Sequence, residues 1–289
     1  MPLPDTTAAA PAATLDRRAI VRHFARAAAR YDAHADALGE VRTELLSRVE
    51  YFGLEPRVVL DIGAGTGQCA HALRRRFRNA RVLAIDLVPA MLDAGARRAR
   101  WPRRYTRIAG DACALPLRDS SCELIVANLS LEWCGDLDLA LAELRRVLAP
   151  PGVFLFSTLG AGTLRELRES WLTADRSAHV HDFVDMHDLG SALARAGFAE
   201  PVLDVEDYTH GFESLKALGA TLRALGAGNA HGARARGLTS PRRLAAASAA
   251  YEARRRGTTL PATFTVVYGA AFAGITRGQG GRRSAKPLT

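Results

Sequence analysis

Asp61, Gly63, Gly65 and Gly67 follow the apolar run Val58-Val59-Leu60 at two-residue intervals, and a second acid, Asp86, closes another apolar run 19 residues past Gly67. A chain that leaves a strand and opens a helix within five residues needs permissive backbone angles. A ligand lying on such a turn needs backbone without Cβ atoms in its way. The spacing G-x-G-x-G, led by Asp61, departs from the G-x-G-x-x-G dinucleotide fingerprint and points away from a dinucleotide ligand. A nucleotide-binding Rossmann domain and a bare structural turn remain the alternatives at this point.

The elements that must position these residues follow from apolar periodicity and breakers. Strands are expected at 58–62, 81–86, 105–109, 123–128, 153–158, 202–208 and 263–272. Helices are expected near 66–77, 89–100, 137–148, 163–174 and 185–196. This alternation predicts an α/β fold with a mostly parallel sheet covered by helices on both faces, whose ligand lies beyond the carboxyl ends of the strands. Two segments fall outside the plan: residues 15–50, helical in period, and residues 210–257, inserted between the last two strands. Residues 1–14 read as a disordered leader and 276–289 as a disordered basic tail, leaving 51–275 as the main domain. No internal repeat is present.

Composition narrows the function classes. No apolar stretch reaches the roughly 18 to 20 residues of a membrane helix, and residues 1–14 have no secretion-signal pattern, so a cytoplasmic protein away from membranes is expected. Cys69, Cys113, Cys122 and Cys134 form no C-x-x-C pair, which argues against a zinc site or a stapled secreted fold. The net charge is +9, yet the stretch from Tyr208 to Thr289 holds 13 Lys or Arg against only Glu213 and Glu252. A basic surface of this kind suits an acidic partner. Nucleic acid is disfavoured as that partner, since aromatic residues for base stacking are only 7% of the chain.

A D-x-G-x-G-x-G turn with an acid ending the next strand resembles the cofactor site of class I S-adenosylmethionine-dependent methyltransferases. The resemblance implies a Rossmann-like sheet of seven strands with the last antiparallel, plus a helical lid built from the two extra segments. It implies that the turn, with Ala64 contributing only backbone, holds the methionine part of S-adenosylmethionine, and that Asp86, followed by Leu87 and Met91, takes the ribose diol. Asp111 would hydrogen-bond the adenine amino group with Ala112 beside it. Asn128 and Leu129, ending the fourth strand, would face the sulfonium.

The chemistry at that strand end is informative for what it lacks. The N-P-P-Y motif that positions a planar amino nucleophile is absent, and no histidine or acid pair offers an obvious base. An acceptor already ionised at neutral pH needs none, because a carboxylate has a pKa of about 4. Catalysis then reduces to aligning the reacting atoms and stripping water from the nucleophile. The pattern suits O-methylation of a carboxyl group.

A narrower resemblance runs through the chain. Phe24 to Ala35, Leu115-Pro116-Leu117, Asn128-Leu129 with Trp133-Cys134, Phe156 to Leu159, Gly162 to Leu164, the His179 to Phe183 loop, Asp185 to Asp188, Leu215 to Thr221 and Val266 to Gly269 resemble, in order, the malonyl-acyl-carrier-protein O-methyltransferase family of biotin synthesis. The resemblance implies methylation of the free carboxyl of a malonyl thioester on an acidic acyl-carrier protein, with no metal. It offers Tyr31, Trp133, His179 and Lys216 as residues that position the acceptor. Another small-acid or quinone-precursor methyltransferase, and a non-methylating assembly factor of the same fold, are the alternatives. The Gly- and Ala-rich stretch from Gly226 to Gly237 and the region after Tyr251 depart from the pattern.

Overall fold

The β1 strand, Val58–Ile62, is buried on both faces and stands in the interior of the sheet, as its unbroken apolar run requires. Around it the computed structural model, which describes residues 15–99, 104–232, 234, 237 and 239–274, arranges seven strands. They are β2 (Arg81–Asp86), β3 (Thr106–Ala109), β4 (Cys122–Asn128), β5 (Leu148–Leu159), β6 (Ala199–Phe212) and β7 (Leu260–Phe272). The order is β3-β2-β1-β4-β5-β7-β6, and β7 alone runs antiparallel to its neighbours. Strand order reverses between β1 and β4, so the crevice beyond their carboxyl ends is the place for a ligand.

The helices are α1 (Arg17–Ala27), α2 (Tyr31–His34), α3 (Asp36–Arg48), α4 (Gln68–Arg76), α5 (Pro89–Ala94), α6 (Leu137–Val147), α7 (Arg165–Leu172), α8 (Met186–Arg195), α9 (Leu215–Ala224) and α10 (Pro241–Glu252). Alternate strand residues feed two cores. Leu60, Ile62, Ile85 and Ile125 pack with Leu141 and Leu144 of α6 and Leu189 and Leu193 of α8. Val59, Val82, Leu124 and Val126 pack on the other face with Val41 and Leu45 of α3 and Ala70 and Leu73 of α4. Among the described residues no helix is long and apolar enough to cross a membrane.

The strands at 58–62 and 81–86 and the helices starting at 89 and 137 appear as expected. Three boundaries differ. Helix α5 ends at Ala94 and passes into a single 3-10 turn over Gly95–Arg97, where Gly95 lies so close to Thr66 that a Cβ would be 2.1 Å from the Thr66 carbonyl oxygen. Strands β6 and β7 outrun their expected lengths because they pair with each other from Ala199 and Phe272 to Phe212 and Leu260. The insertion between them therefore runs over 213–259 instead of 210–257. The expected leader 1–14 and tail 276–289 lie outside the described residues.

Candidate functional site

Gly63 and Gly65 of the turn hold positive φ, +64° and +57°. A side chain at Gly63 would strike Ser130, with its Cβ 2.2 Å from that of Ser130. Gly67 stands behind the turn, where a Cβ would lie 2.1 Å from the Tyr105 hydroxyl; it serves packing and does not line the cavity. The two acids organise the turn. The Asp61 carboxyl, buried in β1, accepts the Ala70 N–H at 2.7 Å and so caps the first turn of α4. Burial pushes it up to about 8, with the Asp86 carboxylate adding to the rise.

Asp86 accepts the Gly65 N–H and the Val88 N–H, each at 2.7 Å, one on each oxygen. It thereby joins the glycine turn to the start of α5. Burial raises its carboxyl while those two N–H groups pull the other way. Each carboxylate oxygen keeps a second acceptor position, and Asp86 lines the cavity beyond the turn.

That cavity encloses about 400 Å³, within the ~300–1,000 Å³ of small-molecule sites. Asp61, Gly63, Ala64, Gly65, Asp86, Leu87, Met91, Asp111, Ala112, Asn128 and Leu129 all line it. Arg17, Ile20, Phe24 and Tyr31 from the N-terminal helices form its roof. Asp32 fastens that roof, accepting from Thr66 Oγ1 at 2.6 Å and Gln68 Nε2 at 2.7 Å and pairing with Arg98 at 2.7 Å.

A second, smaller chamber of about 100 Å³ adjoins the first, and Phe24, Tyr31, Leu129 and Trp133 line both. Leu129 holds φ +48°, a conformation costing ~1–3 kcal/mol for a residue with a side chain. Its N–H donates to the Ser157 carbonyl at 2.9 Å, which keeps it there at the end of β4. Burial raises the Tyr31 phenol, and the carboxylates of Glu132 and then Asp86 add to it. The tyrosine thus feels the acids of both cavities.

Of the acceptor candidates, Tyr31, Trp133 and His179 line the smaller chamber, whereas Lys216 is exposed on the first turn of α9 and lines neither cavity. His179 stacks on Trp171 with ring centroids 3.7 Å apart, and its Nε2 lies 2.8 Å from Asp175 Oδ1. The sequence reading missed Glu132 and His181. Glu132 faces the chamber with Thr158 donating to it at 3.0 Å. The buried His181 accepts the Ala230 N–H at 2.7 Å and stands edge-on to Trp133, joining the loop before α8 to the insertion. Its place in the quoted His179 to Phe183 loop was the available signal.

The residues fit S-adenosylmethionine. Two acids, Asp86 with spare acceptor positions and Asp111, line the cavity, and the glycine turn keeps side chains out of the space beside them. A sheet of this order with such a site at its switch point defines a class I methyltransferase, whose co-substrate is S-adenosylmethionine. A methyltransferase-domain family matches residues 60–156. Among solved structures, the YcgJ protein of Bacillus subtilis superposes with TM-score 0.56 at 16% identity, over 79% of this chain and 97% of that one. The [4+2]-cyclase SpnF superposes with TM-score 0.52 at 22% identity, over 80% and 81%. Both likenesses concern the fold.

Sequence relatives carry the identification further. The malonyl-[acyl-carrier protein] O-methyltransferase of Halorhodospira halophila is 46% identical over 90% of this chain and 89% of its own length. The enzyme of the same name from Nitrosospira multiformis is 42% identical over 89% of each. The chain belongs to the malonyl-[acyl-carrier protein] O-methyltransferase family.

Proposed function

We propose that the chain transfers the methyl group of S-adenosylmethionine to the free carboxylate of a malonyl thioester on acyl-carrier protein, giving the methyl ester that primes pimeloyl synthesis for biotin. The observation that carries this reading is the wall shared by the two cavities. Phe24, Tyr31, Leu129 and Trp133 separate a cofactor-sized space from a small, largely apolar chamber with no Lys or Arg in its described lining. When bound, S-adenosylmethionine supplies an electrophilic methyl group on a sulfonium. The chain's residues orient the two partners and keep water out, which suits a nucleophile that arrives ionised. Asp86 and Asp111 anchor the nucleoside end, and the turn at Gly63 to Gly65 leaves room for the methionine end.

Docking of the carrier falls, on this reading, to the N-terminal roof as well as the basic insertion. Arg18, Arg22, Arg26 and Arg30 recur every fourth residue along α1 and just past it, so they share one face. All four are exposed, and none takes part in an ion pair among the described residues. Like charges at this spacing weaken a helix, and an acidic partner relieves that repulsion. In the insertion Arg234 pairs with Asp16, Arg243 with Asp175, Arg254 with Glu169 and Arg255 with Glu252, whereas Lys216, Arg223, Arg242 and Arg256 take part in no ion pair among the described residues. Such a reaction belongs in the cytoplasm beside the carrier.

The test is methyl transfer from labelled cofactor to malonyl-acyl-carrier protein, run beside malonyl-CoA, trans-aconitate and RNA. A base-labile labelled ester on the carrier is the expected result. Absence of ester on any malonyl thioester, with cofactor binding intact, overturns the reading.

A further inference from the structure

The smaller chamber holds an acid and no fixed cation. Its titratable lining consists of Tyr31 from α2, Glu132 from the turn after β4, and His179 and His181 from the loop before α8. A carboxylate entering so apolar a space is costly unless something donates to it. His179 Nε2 faces Asp175 Oδ1, and His181 Nε2 accepts the Ala230 N–H, which places that ring's proton on Nδ1. Glu132 sits beside the shared wall, between Leu131 and Trp133, with its carboxyl held toward the end of β5 by Thr158.

We propose that Glu132 recognises the acceptor's carboxyl group: its carboxylic acid donates a hydrogen bond to one carboxylate oxygen and leaves the other to face the wall shared with the cofactor cavity. This rests on the reading that the acceptor is a malonyl thioester. Burial pushes the Glu132 carboxyl up to about 7, outweighing the Glu132 and Leu159 N–H groups and the Thr158 hydroxyl. Burial lowers His181 to about 4 and raises the Tyr31 phenol and the Cys134 thiol. A neutral donor also serves the reaction better than a cation, since a strong ion pair would blunt the nucleophile.

The step balances without moving the Glu132 proton. The free carboxylate oxygen forms the new O–C bond as the C–S bond breaks, the sulfonium becoming a neutral thioether and the carboxylate a neutral ester. The charge-assisted hydrogen bond from Glu132 becomes an ordinary one, which weakens the hold on product.

The test is steady-state kinetics of the full chain with malonyl-acyl-carrier protein between about pH 6 and pH 9, for wild type, Glu132→Gln, Glu132→Ala and His179→Asn. Wild type is expected to show an acceptor KM that rises roughly tenfold per pH unit above about pH 7, as Glu132 ionises and repels the substrate. Glu132→Gln, a permanent neutral donor, loses the rise; Glu132→Ala raises KM about tenfold or more at pH 6. His179→Asn keeps the rise. Calorimetric cofactor affinity verifies that each variant is folded, and the protonated-carboxyl infrared absorption at pH 6 is expected to lose one component in Glu132→Gln while that of Asp61 remains. Loss of turnover in Glu132→Gln at every pH, persistence of the rise in that variant, or its loss in His179→Asn overturns the assignment to Glu132. Wild type that esterifies no malonyl thioester overturns the functional reading instead.

Discussion

Arg17 Nη2 lies 2.6 Å from Asp111 Oδ2, so the first residue of α1 is pinned to the loop after β3 across the larger cavity. Asp111 holds its other oxygen on the Cys113 N–H at 3.0 Å. The roof therefore closes over the acid expected to meet the adenine ring. The Arg17 side chain is largely exposed, and pairs of that kind contribute ~0–1 kcal/mol. Arg17→Ala is expected to speed cofactor release by no more than about fivefold and to leave thermal stability essentially unchanged. Stopped-flow displacement and a melting curve check both parts.

Asp86 holds the Gly65 and Val88 N–H groups and keeps an acceptor position on each oxygen beside the cavity. Hydrogen bonds to a charged group contribute ~1.5–3 kcal/mol each. Asp86→Ala is expected to weaken cofactor binding by about 100-fold or more in calorimetry while the far-ultraviolet dichroism of the sheet persists. Unchanged affinity would refute the ribose assignment.

The Asp61 carboxyl binds its proton up to about pH 8 in the folded chain, whereas the ordinary value is 3.8. Between those values the folded state holds more protons than the unfolded state, so this group's contribution to stability falls as pH rises. Without cofactor, the urea midpoint of Asp61→Asn is expected to match wild type near pH 4. It should exceed wild type by a growing margin toward pH 8. A margin that does not grow with pH would show that Asp61 is ionised in the folded chain throughout.

The arginine stripe on α1 provides a clean test of carrier docking. Reversing Arg22 and Arg26 together is expected to raise the KM for malonyl-acyl-carrier protein about tenfold at low salt, each exposed charge contributing ~0.2–1 kcal/mol. The KM for malonyl-pantetheine, which lacks the protein, should stay within about twofold. Added salt should narrow the difference between wild type and variant.

The central strands and the glycine turn were legible because their residues are constrained twice, by burial on both faces and by the turn itself. Val58 to Ile62 and Arg81 to Asp86 could be read to the residue. Strand β6 could not, because it is an edge whose outward Glu206, Asp204 and Asp207 interrupt the apolar pattern. Gly67 looked like a ligand contact by spacing alone, since a packing glycine and a binding glycine leave the same mark in a sequence. Glu132 was hidden for the opposite reason: one acid among Leu131 and Trp133 reads as a solvent-facing position until the fold surrounds it. Lys216 was named for its charge, which says nothing of where α9 points it.

Asp32 reaches Thr66 and Gln68, which stand at the start of the helix that opens from the glycine turn lining the larger cavity. Closure of the roof and retention of the nucleoside are consequently two readings of one equilibrium. Whatever factor the closed roof adds to ligand affinity, the ligand returns to the roof. If spent cofactor leaves beneath the roof, its release requires those hydrogen bonds to break, in residues that never touch the reacting atoms.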